Sequence, residues 1–366
     1  MMAAPPLPLT YDECRARFRR AAARAGLRVR MDPISACGPE GQQLTIDSVR
    51  VGSRRPERVL VVLGGVHGVE GFIASAIQCE FVDRLADQQL PDGVTVLVVH
   101  GVNPWGMAWW RRQNESNVDL NRNWRRDDLD PPSNDAYDEL HPVACPDGAE
   151  IPTVDQLMET AGEWVAARGL DWVRDGITRG QYTHPDGLHY GGDRTEESNR
   201  IVDALVEDLV GAGHGLIVDL HTGHGPRSEL TLLSDQPPDS AQHAFLTSRF
   251  TPFSVEATVD NPDATTGAKH GQIANGIRNM MGTDRCHSTC AEFGTATDLE
   301  QLAATYQESW VRRHGYLEDP RHAEVVWKYR CCFTPDDAEW ATTCLADGTT
   351  LLDAALRSVT DDAGDG

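Results

Sequence analysis

Residues 59–70, VLVVLGGVHGVE, decide the reading of this chain. The apolar, β-branched run from Val59 to Leu63 has the pattern of a strand buried on both faces, and Gly64-Gly65 breaks it. His67 and Glu70 follow in the turn, just before the helical pattern that begins GFIASAIQCEFVDRL and runs over 71–87. A buried strand therefore ends in an imidazole and a carboxylate. At that spacing on a turn or first helical coil both side chains can point the same way, as two ligands of one divalent metal must. A His-x-x-Glu pair is common by chance, and a histidine after a glycine turn is ordinarily a solvated loop residue. The weight falls on whether other strands end in the same manner.

They do. Residues 215–221, GLIVDLH, form a second apolar run that ends at His221, with Asp219 two residues earlier on the same strand face, where it can orient the imidazole. Residues 288–293, STCAEF, are apolar except for Glu292, and Gly294-Thr295 ends them. A carboxylate at the end of a buried run either pairs with a base or does chemistry. The run VTVLVVHGVN at 94–103 is another central strand, closed by Asn103-Pro104. After it, WGMAWWRRQNESNVDLNRNW at 105–124 has neither helical nor strand period and is crowded with Trp, Arg and Asn. Its plain reading is a surface loop whose arginines answer the acidic excess. Its functional reading is a set of guanidinium forks and amide donors for carboxylates.

The other segments fill in the frame. Residues 10–25 read as an amphipathic helix with Thr10 and Glu13 in a capping box, and QLTIDSVRV at 43–51 alternates as a half-exposed strand should. Residues 125–195 are the least regular part, with one helical interval near 151–168 and the stretch RGQYTHPDGLHYGG at 179–192, a lid, a pocket wall or a plain glycine-rich turn. A helix over 196–211 capped by Thr195, a strand at ELTLLS (229–234), a helix near 271–281 and helices over 298–317 and about 335–358 complete the pattern. WKYRCCF, 327–333, reads as an edge strand or connecting piece. The expected fold is α/β, a mixed and largely parallel central sheet sandwiched by helices. It is expected as one catalytic domain, with a core over about 40–317, an irregular insertion over about 125–195 and a C-terminal helical segment over about 318–366.

Length and composition set limits. A chain of 366 residues, 40% hydrophobic, is long enough for one large core with insertions. Its formal charge of −23 repels nucleic acid and anionic membranes, so neither is an expected partner. Nine cysteines, several inside apolar patterns, read as free buried thiols of a reducing compartment rather than a disulfide framework. Cys286 with Cys290 and the Cys331-Cys332 pair lack the second pair that a cysteine metal site needs. The N-terminal residues have no seven-residue apolar core and carry Asp12 and Glu13, and no stretch reaches the 18 apolar residues of a membrane span. The expected location is the cytoplasm. The C-terminal helices cover one sheet face or form a homo-oligomer contact.

In open α/β sheets, sites form outside the carboxyl ends of strands, so these strand ends can converge on one crevice. Two histidines and one glutamate are the protein ligands of a catalytic zinc site that leaves a position for water. His67, Glu70 and His221 are that set, for one zinc per chain. Glu292 is free to take the proton of the water and pass it to the leaving amine. Arg112 or Arg111 suits a developing oxyanion, and Asn121 with Arg122 suits a substrate carboxylate.

The motifs GVHGVE (65–70), NPWG (103–106), VDLNRNW (118–124) and EFGT (292–295), in that order, resemble the zinc carboxypeptidase superfamily, which includes carboxypeptidase A-like and aspartoacylase-like proteins. The likeness spans about residues 58–295 and is nearest to an uncharacterised bacterial branch. It implies a zinc hydrolase that cleaves an amide next to a free carboxylate, acting as a metallocarboxypeptidase or an N-acyl-amino-acid deacylase on a small-molecule or peptide substrate. It further implies zinc on His67, Glu70 and His221, Glu292 as general base and acid, an arginine at 111 or 112 on the oxyanion, and Asn121-Arg122 on the carboxylate. The sequence departs from the family pattern in one respect. A tyrosine is expected between the third ligand and the glutamate, and residues 222–291 contain none. Tyr190, His270 and Tyr306 are the substitutes to weigh. The rival readings are an esterase or amidase acting on a small metabolite, and a binding module that keeps the fold without turnover.

Overall fold

The computed structural model describes residues 7–361 except 87, 126, 128, 129, 131 and 262–265. Its centre is an eight-stranded sheet. In chain order the strands are β1 (Val29–Cys37), β2 (Gln43–Gly52), β3 (Arg58–Gly64), β4 (Val94–His100), β5 (His214–Gly223), β6 (Leu230–Ser234), β7 (Ser254–Ala257) and β8 (Cys286–Gly294). They are arranged in space as β1-β2-β4-β3-β5-β8-β6-β7. The inner strands β4, β3, β5 and β8 run parallel, as do β6 and β7, while β1 on β2, β2 on β4 and β6 on β8 are antiparallel. The expected mixed, largely parallel sheet is present.

Unbroken apolar strands require cover on both faces, and the side chains of β3 divide accordingly. Leu60 and Val62 join a core with Ile73, Ile77 and Phe81 of helix α2 (Gly71–Leu85), Phe18 of α1 (Tyr11–Arg24), and Trp340 and Leu352 of α12 (Ala338–Thr360). Val59, Val61 and Leu63 face the other way. They meet Val202 and Leu205 of α7 (Glu197–Val206) and Ile273 and Ile277 of α9 (Ile273–Met281).

Several expectations need correction. Strand β2 is not half-exposed, since residues 44–49 are all buried. Its polar positions are covered by α1, where the Tyr11 hydroxyl donates to the Thr45 carbonyl (2.6 Å) and Arg19 Nε donates to Asp47 (2.6 Å). Thr10 does cap α1 by accepting from Glu13 N–H, but Glu13 reaches back to Leu9 N–H (3.1 Å) rather than closing the box on Thr10. WKYRCCF is neither strand nor connector and lies inside α11 (Pro320–Phe333). His322, Val326, Tyr329, Arg330 and Phe333 are the buried residues of that helix, at helical spacing. Thr195 is not the cap of α7, whose first turn follows Glu196.

The stretch 125–195 is more helical than its composition suggests. It holds α4 (Asp135–Ala144), α5 (Val154–Arg168), started by a Thr153/Gln156 capping box, and α6 (Leu170–Thr178). Tyr137, Leu140, Ile177 and Leu188 form a small core of their own with Tyr306 of α10 (Asp298–His314). The remaining helices are α3 (Pro104–Trp109) and α8 (Ala241–Arg249). All nine cysteines are unpaired. Among the described residues no helix is long and apolar enough to cross a membrane.

Candidate metal centre

Strands β4, β3, β5 and β8 end side by side at one edge of the sheet. Gly64 is in register with His100 on one side and Leu220 on the other, and His221 with Glu292. The chain leaves β3 for β4 on one flank and returns to β5 on the opposite flank, which opens a crevice at the end of β3.

His67 and Glu70 enter that crevice on a 3-10 turn, Gly68–Glu70, that lies against α3. A Cβ on Gly68 would sit 2.0 Å from the carbonyl carbon of Gly106, so only glycine permits the approach. The backbone N–H groups of Gly68 and Val69 donate to the carbonyls of Arg112 (3.4 Å) and Arg111 (2.9 Å). Glu70 and the arginine loop are thereby placed together.

Three donor atoms then converge. His67 Nδ1 lies 2.9 Å from one carboxylate oxygen of Glu70, His221 Nδ1 lies 2.9 Å from the other, and the two nitrogens are 3.1 Å apart. All three residues are at most 4% exposed. Each ring has its far nitrogen beside an acid, with His67 Nε2 3.3 Å from Asp119 and His221 Nε2 2.7 Å from Asp219. An acid beside Nε2 favours the proton there and leaves Nδ1 facing inward, although Asp219 approaches His221 by distance and charge without hydrogen-bond alignment. Two inward lone pairs and a carboxylate in so small a space call for positive charge among them, a metal ion or a proton on His221, which Asp219 and Glu70 raise against burial. The donor set fits a divalent metal, and two nitrogens with one oxygen are suited to zinc.

The electrostatics agree. Burial alone would raise the Glu70 carboxyl, yet the adjoining His67 and His221 hold it well below the usual range. Asp119 is likewise held low against burial, by Arg112, Arg122 and His67, with His189 Nδ1 3.2 Å from its Oδ2. Glu292 behaves in the opposite sense. Burial and the nearby Glu70 charge raise it, against the pull of His221, His224 and Lys269. A carboxylate raised toward neutrality is the better proton acceptor.

The arginines separate. Arg112 donates from Nη1 to Glu70 (3.2 Å) and from Nε to Asp119 (3.1 Å), whereas Arg111 pairs with Glu308 of α10. Arg112 is the one at the site. Asn121 and Arg122 are turned inward. The Asn121 side-chain oxygen accepts from Ile273 N–H (3.0 Å). Arg122, 1% exposed, donates to the carbonyls of Asn121 (2.9 Å) and Thr178 (2.8 Å). Of the residues weighed for the absent tyrosine, Tyr306 is locked in the core of the insertion and His270 is exposed. Tyr190 is buried, with its carbonyl accepting from Asp119 N–H. Sequence reasoning missed Asp119 as the partner of His67. The residue stood within a quoted motif, but 52 positions from that histidine no local spacing ties them. Beside the site, Lys269 had no signal of its own and Cys290 only its spacing from Cys286.

Residues 8–347 match a family described as a protein of unknown function, DUF2817. Among curated proteins, none matches the sequence. Solved structures similar to the chain include carboxypeptidase A from Helicoverpa armigera, at 11% identity and a TM-score of 0.46, with 88% of this chain and 73% of that one covered. A metallo-carboxypeptidase from Burkholderia cenocepacia is 14% identical over 83% of this chain and 68% of that one, with a TM-score of 0.44. A metallo-carboxypeptidase from Pseudomonas aeruginosa, in complex with (2-guanidinoethylmercapto)succinic acid, is 14% identical over 93% and 69%, with a TM-score of 0.42. At these scores the likenesses speak for neither substrate nor mechanism. Because the family match runs nearly from end to end, the chain belongs to the DUF2817 family.

Proposed function

We propose that the protein is a zinc-dependent hydrolase, one catalytic unit that cleaves an amide bond next to a free carboxylate, as a metallocarboxypeptidase or an N-acyl-amino-acid deacylase. The observation that carries this reading is the convergence of His67 Nδ1, His221 Nδ1 and the Glu70 carboxylate within 3.1 Å of one another. These three residues would hold one zinc ion, which supplies Lewis acidity and brings the pKa of water to about 7.

The chain's own groups divide the remaining work. Asp119 and Asp219 keep the imidazole protons on Nε2 and fix the rings. Glu292, in register with His221 on the neighbouring strand, accepts the proton of the attacking water and returns it to the departing amine. Arg112, anchored on Asp119, presents its guanidinium to the oxygen on which negative charge develops. Free cysteines throughout support a cytoplasmic location.

The test is metal analysis of the purified protein, followed by a panel of dipeptides, N-acyl amino acids and esters assayed with added zinc. One zinc per chain and turnover of amides that carry a free carboxylate are the expected results. Turnover of esters alone moves the protein to the esterase class. Stoichiometric zinc without turnover of any member leaves a binding module.

A further inference from the structure

The stretch 179–192 closes into a turn that docks beside the candidate metal centre. Gln181, fully buried, holds it shut. Its N–H donates to the His189 carbonyl (3.2 Å), its carbonyl accepts from Gly191 N–H (2.8 Å), and its side-chain amide donates to the Leu188 carbonyl (3.2 Å). The Tyr137 hydroxyl of α4 accepts from Leu188 N–H (2.6 Å). Asp119 then fastens the turn to the site twice, since its N–H donates to the Tyr190 carbonyl (2.8 Å) and its Oδ2 lies 3.2 Å from His189 Nδ1.

Within this turn His189 has a φ of 51°, a left-handed conformation that glycine adopts freely and that a residue with a side chain keeps only where its surroundings impose it. An imidazole retained at such a position, at the edge of a site, points to work for the ring. Burial and the Arg112 and Arg122 charges push it down to about 4, against the pull of Asp119, so it is neutral at pH 7. A carboxylate at Nδ1 keeps the one ring proton there and leaves Nε2 as a lone pair. That nitrogen makes no hydrogen bond among the described residues. Nor is it an orphan of the core, for the side chain is 12% exposed and Nε2 is open to solvent.

The ring's neighbours fix the flank on which it stands. Asp119 Oδ2 also accepts from Arg112 Nε (3.1 Å), and Oδ1 faces His67 Nε2, so His189 lies on the His67 side, next to the guanidinium given the oxyanion above. Glu292, given the departing amine, is in register with His221 on the other side. The acyl half of the substrate therefore falls to the flank of Arg112 and His189. Resting on the hydrolase reading, we infer that His189 Nε2 accepts a hydrogen bond from an N–H on the acyl side of the scissile bond, next to the attacked carbonyl. The preferred substrate is then an amidoacyl chain, such as a peptide, rather than a simple acyl group, and of the two activities proposed the carboxypeptidase is favoured.

The probes are N-benzoylglycyl-alanine and O-benzoylglycolyl-alanine, in which an ester oxygen replaces the N–H. They are titrated calorimetrically into the zinc-loaded full chain carrying Glu292→Gln, so that hydrolysis does not intervene. The N–H compound should bind about 10-fold to 100-fold more tightly, because the oxygen sets a second lone pair against Nε2. His189→Asn in the same background keeps a residue that tolerates the left-handed backbone and an N–H for Asp119, and removes only the Nε2 acceptor. The preference should then disappear, with zinc content and thermal unfolding as in the parent. Where His189→Asn loses zinc, His189→Gly carries the same comparison. A parent that binds the two compounds equally, or binds neither, overturns the inference, as does a His189→Asn protein that still prefers the N–H. Turnover is read separately with Glu292 in place. N–H-selective binding that depends on His189, without hydrolysis, sinks the hydrolase reading and leaves the contact standing, whereas equally efficient hydrolysis of both compounds does the reverse.

Discussion

Nδ1 of His67 and Nδ1 of His221 stand 3.1 Å apart although 154 residues separate them in sequence. Each comes from the carboxyl end of a central parallel strand, so the pairing follows from the register of β3 on β5. What suits the cluster to a metal is the pair of acids behind the rings. Substituting Asp119→Asn removes the charge beside His67 Nε2 and frees the ring to change tautomer. Zinc affinity should fall by about 10–100-fold, measured by chelator competition. Because Asp119 also anchors Arg112, kcat should fall even at saturating zinc. An unchanged zinc affinity would show that the ring is held by other means.

Glu292→Gln separates metal binding from proton transfer. The side chain keeps its size, and the three donor atoms stay in place, so zinc should remain at one per chain. Turnover of a susceptible amide should drop by about 100-fold to 10,000-fold. Activity near wild type in a zinc-replete Glu292→Gln protein would remove Glu292 from the role of base.

The candidate metal ligands were legible because each sits at or just after the end of an apolar run, where burial is obligatory and a polar residue has to be explained. The same logic exposed Glu292 and Asp219. Asp119 and Lys269 were not legible, since both lie in irregular segments whose positions depend on contacts far away in sequence. In the fold, the inner strands were readable from their continuous β-branched residues. β1 (Val29–Cys37) and β7 (Ser254–Ala257) escaped notice because their burial is partial and their pattern broken, by Pro33 in the first and by brevity in the second. WKYRCCF misled because its aromatic and cysteine content favours a strand. Only with Val326 included does the helical spacing of its buried residues emerge. The polar face of β2 misled differently. Its alternation has the pattern of exposure, yet Arg19 and Tyr11 of α1 cover that face with hydrogen bonds.

The turn that carries Glu70 depends on the missing side chain at Gly68. In Gly68→Ala the new methyl would overlap the Gly106 backbone, so α3 or the turn must move. The resulting strain should cost about 1–3 kcal/mol in urea unfolding. Because the same turn is tied to the Arg111 and Arg112 carbonyls, zinc occupancy should fall with it. Full zinc occupancy in a measurably destabilised Gly68→Ala protein would mean that the shift is absorbed by α3 alone.

A pH effect on stability follows from His100, on the far side of the sheet end from the candidate ligands. Its ring is 1% exposed, stacks on Phe18 at 4.6 Å between centroids, and lies 2.8 Å from the Ser75 hydroxyl. Burial pushes the imidazole down to about 4, with Asp47 opposing and Arg19 and Arg15 assisting. In the unfolded chain the same ring takes its proton near pH 6.5. Between those values the unfolded state binds more protons, so acid favours unfolding. The contribution of the neutral ring is complete above about pH 6.5 and is lost as the pH falls toward about 4, by up to about 3 kcal/mol in all. Urea midpoints of wild type and His100→Gln, both stripped of metal and compared at pH 7 and at pH 4.5, isolate this term. Wild type should lose more stability than the variant on acidification. A difference between the two proteins that stays constant with pH would show that His100 does not titrate in this window.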